Sequence, residues 1–240
     1  MKTIKFCLLL IAVISFGSLH AQTIDEVINK HVEAMGGKDK LAQLKAVQMD
    51  MTVEVMGNEA PSNVTIVEGK GYKYESDFNG QKIVQCYTDK GGWTINPMMG
   101  SSDPQPLPDD QYKMVKDEIY ITDPLYDYAA KGNKVELQGQ EKVGDADAYK
   151  IKVSNDAGGE TIYYLDPSTY YIIQMVRSGE MMGNPVSITV KNSNFQKTDD
   201  GYVFPRTLET SFGDQFSLTA NVTKVEVNPA IDPSVFEMPK

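Results

Sequence analysis

The sequence predicts a mainly β (α+β) protein in which antiparallel strands are accompanied by a few short helices. Three observations support this prediction. Residues 47–55 alternate apolar and polar side chains, as a strand with one wet face does. Two β-prone runs, 162–165 and 170–176, flank the turn sequence D-P-S-T at 166–169 and predict an antiparallel hairpin. Asn79-Gly80 is a type I′ turn signal between two further runs.

Residues 1–21 have the pattern of a secretory signal peptide. Lys2 and Lys5 form a positive start, and an apolar core follows over residues 7–16. This core is too short to cross a bilayer as a helix, although a signal anchor is the alternative. We therefore expect an exported, soluble protein that begins near Gln22 and does not span the membrane.

The charge and the cysteine content exclude several classes of function. The net charge is −10 and the pI is about 4.7, so the chain lacks the basic surface that nucleic acid or an anionic lipid surface requires. Cys86 is the only cysteine outside the leading segment, which rules out an intrachain disulfide after cleavage. Residues 22–240 contain no repeat, low-complexity run or linker and predict a single domain.

The first half reads as a leading helix followed by a β-meander. Thr23 and Glu26 have the spacing of a capping box, and Gly36-Gly37 ends the helix. A second short helix is expected over residues 38–44. The strands predicted after it are 47–55, 64–68, 72–78, 83–88 and 93–96.

The strand pattern is interrupted between the two halves. Residues 98–108 contain three spaced prolines and predict an extended loop. Asp109 is expected to cap a helix that ends near Tyr120, and Asp123 a helix that Gly132 ends. The strands predicted after the helices are 135–139, 148–153, 162–165, 170–176, 186–195, 202–210 and 216–227.

The residues needed for common catalytic chemistry are missing from the sequence. His31 is the only histidine after the leading segment, and a packed or surface role is favoured over a catalytic one. The sequence has no G-x-S-x-G motif, glycine-rich phosphate loop or calcium loop. The pairs Asp109-Asp110 and Asp199-Asp200 suit caps and turns. We therefore expect a protein that is not an enzyme and that uses no cofactor and no metal.

The apolar side of the predicted sheet must be covered, and the methionine content of the chain suggests that a ligand covers it. Met-Met-Gly occurs at residues 98–100 and 181–183, and methionine suits a surface that accepts chains of varied shape. The alternative is that these residues belong to hairpin tips and an ordinary core. The candidate residues for an apolar ligand site are Met49, Met51, Val53, Tyr72, Tyr74, Trp93, Met98, Met99, Tyr112, Val115, Met181 and Met182. Trp93, the only tryptophan, is expected near the mouth of the site.

The second half carries four short motifs in a fixed order. They are Y-Y-L-D-P-S-T-Y at 163–170, G-Y-V-F-P at 201–205, V-E-V-N at 225–228 and I-D-P-S-V-F at 231–236. From about Val135 onward the sequence therefore resembles the LolA-type outer-membrane lipoprotein-sorting proteins and their periplasmic relatives. No residue can be matched with the arginine that clamps the lid in that family.

The resemblance implies an incomplete antiparallel β-barrel with a helical lid over an apolar cavity. It also implies a carrier that shields the acyl chains of a lipoprotein or another lipid in the periplasm. The partners would be that lipid or acylated lipoprotein and a donor or acceptor protein of the envelope. The alternative is a non-enzymatic periplasmic sensor or interaction module on the same fold.

Overall fold

A computed structural model describes residues 22–155, 159–181, 184–213 and 216–239. The predicted signal peptide at residues 1–21 lies outside the described residues. The described chain forms one large antiparallel sheet of 13 strands, a two-stranded sheet and a few short helices.

The α-helices are α1 (Ile24–Ala34), α2 (Lys38–Leu41) and α3 (Asp109–Val115), and 3-10 helices occupy Pro97–Met99, Lys116–Ile119 and Pro233–Phe236. The strands are β1 (Ala46–Val55), β2 (Asn58–Val67), β3 (Gly71–Phe78), β4 (Gln81–Thr88), β5 (Gly91–Asn96), β6 (Ser101–Pro106), β7 (Lys134–Val143), β8 (Ala146–Ser154), β9 (Glu160–Leu165), β10 (Ile172–Met181), β11 (Asn184–Ser193), β12 (Gln196–Lys197), β13 (Val203–Phe204), β14 (Thr207–Phe212) and β15 (Phe216–Val227).

The large sheet has the order β6-β5-β4-β3-β2-β1-β15-β14-β11-β10-β9-β8-β7, and β12 pairs only with β13. The last strand, β15, pairs with β1 and so joins the meander of the first half to the second half. The strands β6 and β7 are the two edges, and the sheet does not close. The predicted incomplete antiparallel barrel is therefore confirmed.

The two faces of the sheet differ in polarity. Strand β1 directs Met49, Met51 and Val53 toward one face, which is called the inner face below, and Asp50 and Glu54 toward the outer face. Cross-strand pairing carries this alternation across the sheet, because paired residues point to the same side. Helices α1 and α2 pack on the inner face.

Helix α1 begins with the predicted capping box. The Thr23 hydroxyl accepts a hydrogen bond from the Glu26 amide at 3.3 Å, and the Glu26 carboxylate accepts one from the Thr23 amide at 3.0 Å. Val27 and Ile28 of this helix pack against Ile151 on the inner face of the second half. The helix thereby covers the inner face at this end of the sheet.

Both predicted turns are confirmed. Asn79 and Gly80 have φ angles of 54° and 78°, as a type I′ turn requires. In the other hairpin the Asp166 carboxylate accepts hydrogen bonds from the amides of Ser168 and Thr169 at 2.9 and 2.8 Å. The strands that flank this turn pair as antiparallel neighbours.

The predicted loop at 98–108 is wrong in part. Residues 101–106 form the edge strand β6, and Pro97–Met99 form a 3-10 turn. Proline is tolerated at an edge because an outward-facing position needs no amide donor. The prolines that interrupt the alternation of apolar residues therefore lie in or beside an edge strand.

The two predicted helices between the halves are also corrected. The first is α3 followed by a 3-10 turn, and Pro108 holds the cap position, so Asp109 is already helical. The second helix is wrong, because residues 124–132 form consecutive turns. Asp123 does accept a hydrogen bond from the Leu125 amide at 2.9 Å, but Asp127 has a φ angle of 52° and interrupts any helix there.

Three further elements differ from their sequence predictions. Helix α2 ends at Leu41, before the predicted end at residue 44. The predicted strand 202–210 is divided into β13 and β14, which pair with different strands. The 3-10 turn at Pro233–Phe236 had no sequence prediction, because four residues are too few for an apolar period.

Candidate functional site

The inner face of the central strands carries an apolar surface, which we call the inner strip. Its buried members are Met51, Val53, Val64, Ile66, Ala220 and Val222, and its half-buried members include Met49, Val55, Tyr72, Tyr74, Leu208 and Leu218. The strip therefore combines a buried base with half-buried apolar side chains around it.

Strand register explains why these residues meet. Met49 pairs with Val64 on one side and with Val225 on the other, and Val64 pairs in turn with Tyr74. Paired residues in adjacent strands lie about 5 Å apart and share a face. Five of the residues predicted from the sequence, Met49, Met51, Val53, Tyr72 and Tyr74, are brought together in this way.

A helical segment lies across the inner face, and we call residues 109–119 the crossing segment. Helix α3 contacts β5 and β10, and the 3-10 turn after it contacts β3 and β4. The Tyr112 hydroxyl donates a hydrogen bond to the carbonyl of Thr88 at 2.6 Å. The crossing segment therefore bridges the two halves of the sheet, and its Tyr112 and Val115 are half-buried.

Arg177 of β10 holds the other side of the crossing segment. Its Nη1 atom donates to the carbonyl of Met114 at 2.7 Å and lies 3.4 Å from Oε1 of Glu118. Arg177 was not among the site residues predicted from the sequence. The available signal was its position two residues after Met175, which places a charge on the apolar side of the strand.

Gly179, two residues farther along β10, leaves the space that Met114 fills. A Cβ atom at this position would lie 2.9 Å from Cε of Met114. The arginine and the glycine thus fix the crossing segment by a polar contact and by a close approach, respectively.

Two tyrosines on the inner face lie near Glu118. The rings of Tyr72 and Tyr87 stack with centroids 5.4 Å apart. Burial raises the pKa of Tyr72 well above its ordinary value, and the charge of Glu118 raises it further. Both effects keep this phenol neutral, so it adds no negative charge to the inner face.

The chain after the crossing segment is fixed by charged side chains. The Glu68 carboxylate accepts hydrogen bonds from the Ile121 amide at 2.6 Å and from the Thr122 hydroxyl at 3.2 Å. Lys131 donates to the same hydroxyl at 2.9 Å, and His31 contacts Asp123. These contacts anchor the chain immediately after the crossing segment.

Trp93 is placed differently from the sequence hypothesis. It pairs with Cys86 on the outer face, and its Nε1 donates to the carbonyl of Phe236 at 2.9 Å. The alternation along β4 and β5 directs Tyr87 inward and Trp93 outward. The structure thus separates Trp93 from the inner strip, and Phe236 covers it.

The structure describes the predicted methionines outside β1 only in part. Met98 is 64% exposed beside the β5–β6 connection, and Met99 follows it in the 3-10 turn. Met181 ends β10, and Met182 lies outside the described residues. Of the two Met-Met-Gly runs, the one at residues 98–100 lies in the connection between β5 and β6, which was the alternative interpretation of that run.

Two further observations concern the described residues as a group. Within them, no three histidine, cysteine, aspartate or glutamate side chains are arranged to hold a metal ion. None of the helices in this part of the chain is long and apolar enough to cross a membrane.

Sequence comparisons found no relative, whereas structural comparisons found several. No protein-family model matches the sequence, and no curated protein matches it. A LolA superfamily protein from Nitrosomonas europaea matches with a TM-score of 0.59 at 12% identity, covering 90% of this chain and 98% of its own. A putative outer membrane lipoprotein-sorting protein domain from Vibrio parahaemolyticus matches with a TM-score of 0.56 at 12% identity, covering 88% and 94%.

A third similar structure is a DUF1329 family protein from Desulfovibrio piger. It matches with a TM-score of 0.59 at 13% identity and covers 90% of this chain and 98% of its own. At this identity the similarity concerns the fold, which agrees with the unclosed sheet and the helices on its inner face. The chain therefore has the LolA-like fold, as the order of its sequence motifs predicted.

Proposed function

We propose that this protein is exported to the periplasm and carries an acyl chain of a lipoprotein or another lipid against the inner strip. In this proposal the crossing segment acts as the lid and is displaced when the chain enters. The protein shields its cargo and catalyses no reaction. An envelope protein would load it, and another would accept the cargo.

The half-buried apolar surface of the inner strip is the observation that carries this proposal. Tyr74, Leu208 and Leu218 keep part of their apolar area accessible above a buried base. Burying a methylene group is worth about 0.8 kcal/mol, so a long acyl chain gains most of its binding free energy from such a surface. The affinity for such a surface therefore depends strongly on the length of the apolar chain.

The lid role follows from how few polar contacts hold the middle of the crossing segment. Tyr112 contributes one hydrogen bond to Thr88, and Arg177 contributes its contacts with Met114 and Glu118. A typical hydrogen bond contributes about 1 kcal/mol net, so several methylene groups outweigh these contacts. An acyl chain can thus compensate for the loss of these polar contacts.

The proposal is tested with delipidated protein and the apolar dye N-phenyl-1-naphthylamine, whose fluorescence rises in an apolar site. We expect saturable binding that dodecanol displaces. Leu218→Asp should weaken dye binding about tenfold, because it places a charge on the strip. Ser217→Asp is the matched control, since Ser217 is exposed on the outer face of the same strand. Equal binding by both variants and the unmodified protein would contradict the proposal.

A second candidate is a non-enzymatic sensor or interaction module on the same fold. The observation that favours it is a set of exposed side chains at strand connections where β1 ends and β15 begins. Met56 is 84% exposed and Phe216 is 41% exposed, and the register places them near each other. This candidate predicts that Met56→Lys with Phe216→Lys abolishes binding of a purified envelope partner, while dye binding is absent.

A further inference from the structure

Arg177 has an unusual position among the charged residues of the sheet. Nine adjacent strands, from β4 through β1 and β15 to β9, direct their described charged side chains outward with one exception. The exception is Arg177, whose side chain is only 19% exposed. A lone cation on an apolar face requires an anionic or polar partner, because burial of an unpaired charge is costly.

The present partners of Arg177 belong to the crossing segment. Its Nη1 atom contacts the Met114 carbonyl and the Glu118 carboxylate, and the Glu118 side chain is 41% exposed. Displacement of this segment by cargo removes both partners at once. In the bound state the guanidinium of Arg177 is then unpaired on the inner face unless the cargo supplies a new acceptor.

Arg177 also lies next to space that can be vacated. Gly179 has no side chain, and the terminal methyl of Met114 occupies the volume above it. When Met114 leaves with the crossing segment, this volume becomes continuous with the surface beside the guanidinium. An apolar chain and an acidic head group can therefore be bound side by side here.

We infer that the cargo is an anionic amphiphile, whose carboxylate or phosphate binds Arg177 in the place that Glu118 now occupies. The inference rests on the proposed carrier function and adds the chemical class of the head group. A guanidinium binds carboxylate and phosphate through two parallel hydrogen bonds, which a neutral alcohol cannot match. Glu118 is then an internal competitor that keeps Arg177 paired while the site is empty.

The test measures displacement of N-phenyl-1-naphthylamine at neutral pH by three ligands with the same alkyl chain. Dodecanol is neutral, dodecanoate carries a carboxylate, and dodecyl phosphate carries a phosphate. The variants are Arg177→Met, which keeps the apolar stem, and Glu118→Gln, which removes the competitor. Lys191→Met is the matched control, because it removes a positive charge from the outer face of the neighbouring strand. Circular dichroism verifies that each variant is folded.

We expect the unmodified protein and Lys191→Met to bind at least one anionic ligand about tenfold more tightly than dodecanol. Arg177→Met should lose this preference while still binding dodecanol, and Glu118→Gln should increase the preference. The stronger of the two anionic ligands identifies the head group as carboxylate or phosphate.

Two results would overturn the inference in distinguishable ways. If all three ligands displace the dye equally, and Glu118→Gln does not change this, the head-group inference is wrong and the carrier function stands. If neither the unmodified protein nor Glu118→Gln binds the dye or any ligand, the carrier function itself is wrong. The Glu118→Gln result decides the question even if Arg177→Met fails to fold.

Discussion

Nε2 of His31 lies 3.0 Å from Oδ2 of Asp123, and this contact joins helix α1 to the turns that follow the crossing segment. The other ring nitrogen, Nδ1, lies 2.8 Å from the carbonyl oxygen of Tyr170. Both partners are acceptors, so the protonated imidazolium satisfies both contacts. His31 is buried, so of the packed and surface positions that the sequence left open it takes the packed one.

The His31–Asp123 pair makes stability depend on pH. Burial alone would lower the pKa of His31, but the charge and hydrogen bond of Asp123 outweigh it and the pKa is raised. The contribution of the pair is therefore full below the ordinary histidine pKa of about 6.5 and is lost as the pH rises through the raised value.

We predict that the free energy of unfolding falls between mildly acidic and alkaline pH, and that His31→Gln removes much of this slope. At mildly acidic pH the variant should be less stable by about 3 kcal/mol, because Asp123 loses its buried partner. Urea unfolding of both proteins across the pH range measures the effect. Parallel pH profiles for the two proteins would show that the pair does not titrate as described.

Phe236 is predicted to fix the C-terminal segment on the outer face. Its ring lies over Gly71, where an added Cβ atom would approach it to 2.7 Å. Phe236→Ala should lower the free energy of unfolding by about 3 kcal/mol and shift the emission of Trp93 to longer wavelength as water enters. Met238→Ala is the control, because Met238 is 46% exposed. An unchanged emission spectrum in Phe236→Ala would mean that Phe236 does not shield Trp93.

Gly179 is predicted to control the position of the crossing segment. Gly179→Val should push Met114 away and increase hydrogen exchange at residues 109–119, because the space at Gly179 is already filled. Adding Met114→Ala should reverse much of this change by restoring room. Ser178→Val, on the exposed outer side of the same strand, should have no effect. Equal exchange in Gly179→Val and Ser178→Val would contradict the close packing of Met114.

Local patterns in the sequence were sufficient for much of the fold. The alternation of residues 47–55 and the turn at Asn79-Gly80 act over short distances, and the structure confirms both. The edge strand β6 was missed because its prolines remove the apolar alternation that identifies a strand. The pairing of β1 with β15 joins the two ends of the chain, and no local pattern specifies such a contact.

The candidate site was predictable only where it depended on one strand. Met49, Met51 and Val53 share a face because a strand alternates, so their grouping followed from the sequence. The outward direction of Trp93 depends on its pairing with Cys86. Likewise, the role of Arg177 depends on a helical segment that is distant in sequence and crosses above it. Both required the register and the topology of the sheet.

The central claim is that an acyl chain lies on the inner face of the sheet, and photolabelling tests it most directly. Delipidated protein is irradiated with a dodecanoate that carries a diazirine at the end of its chain, and the modified residues are identified by mass spectrometry. Our account predicts saturable labelling of the inner strip and the crossing segment, which unlabelled dodecanoate suppresses. The residues expected to be modified include Val55, Tyr74, Leu208, Leu218 and Tyr112. Labelling confined to the outer face around Trp93 and Phe236, or no saturable labelling at all, would contradict it.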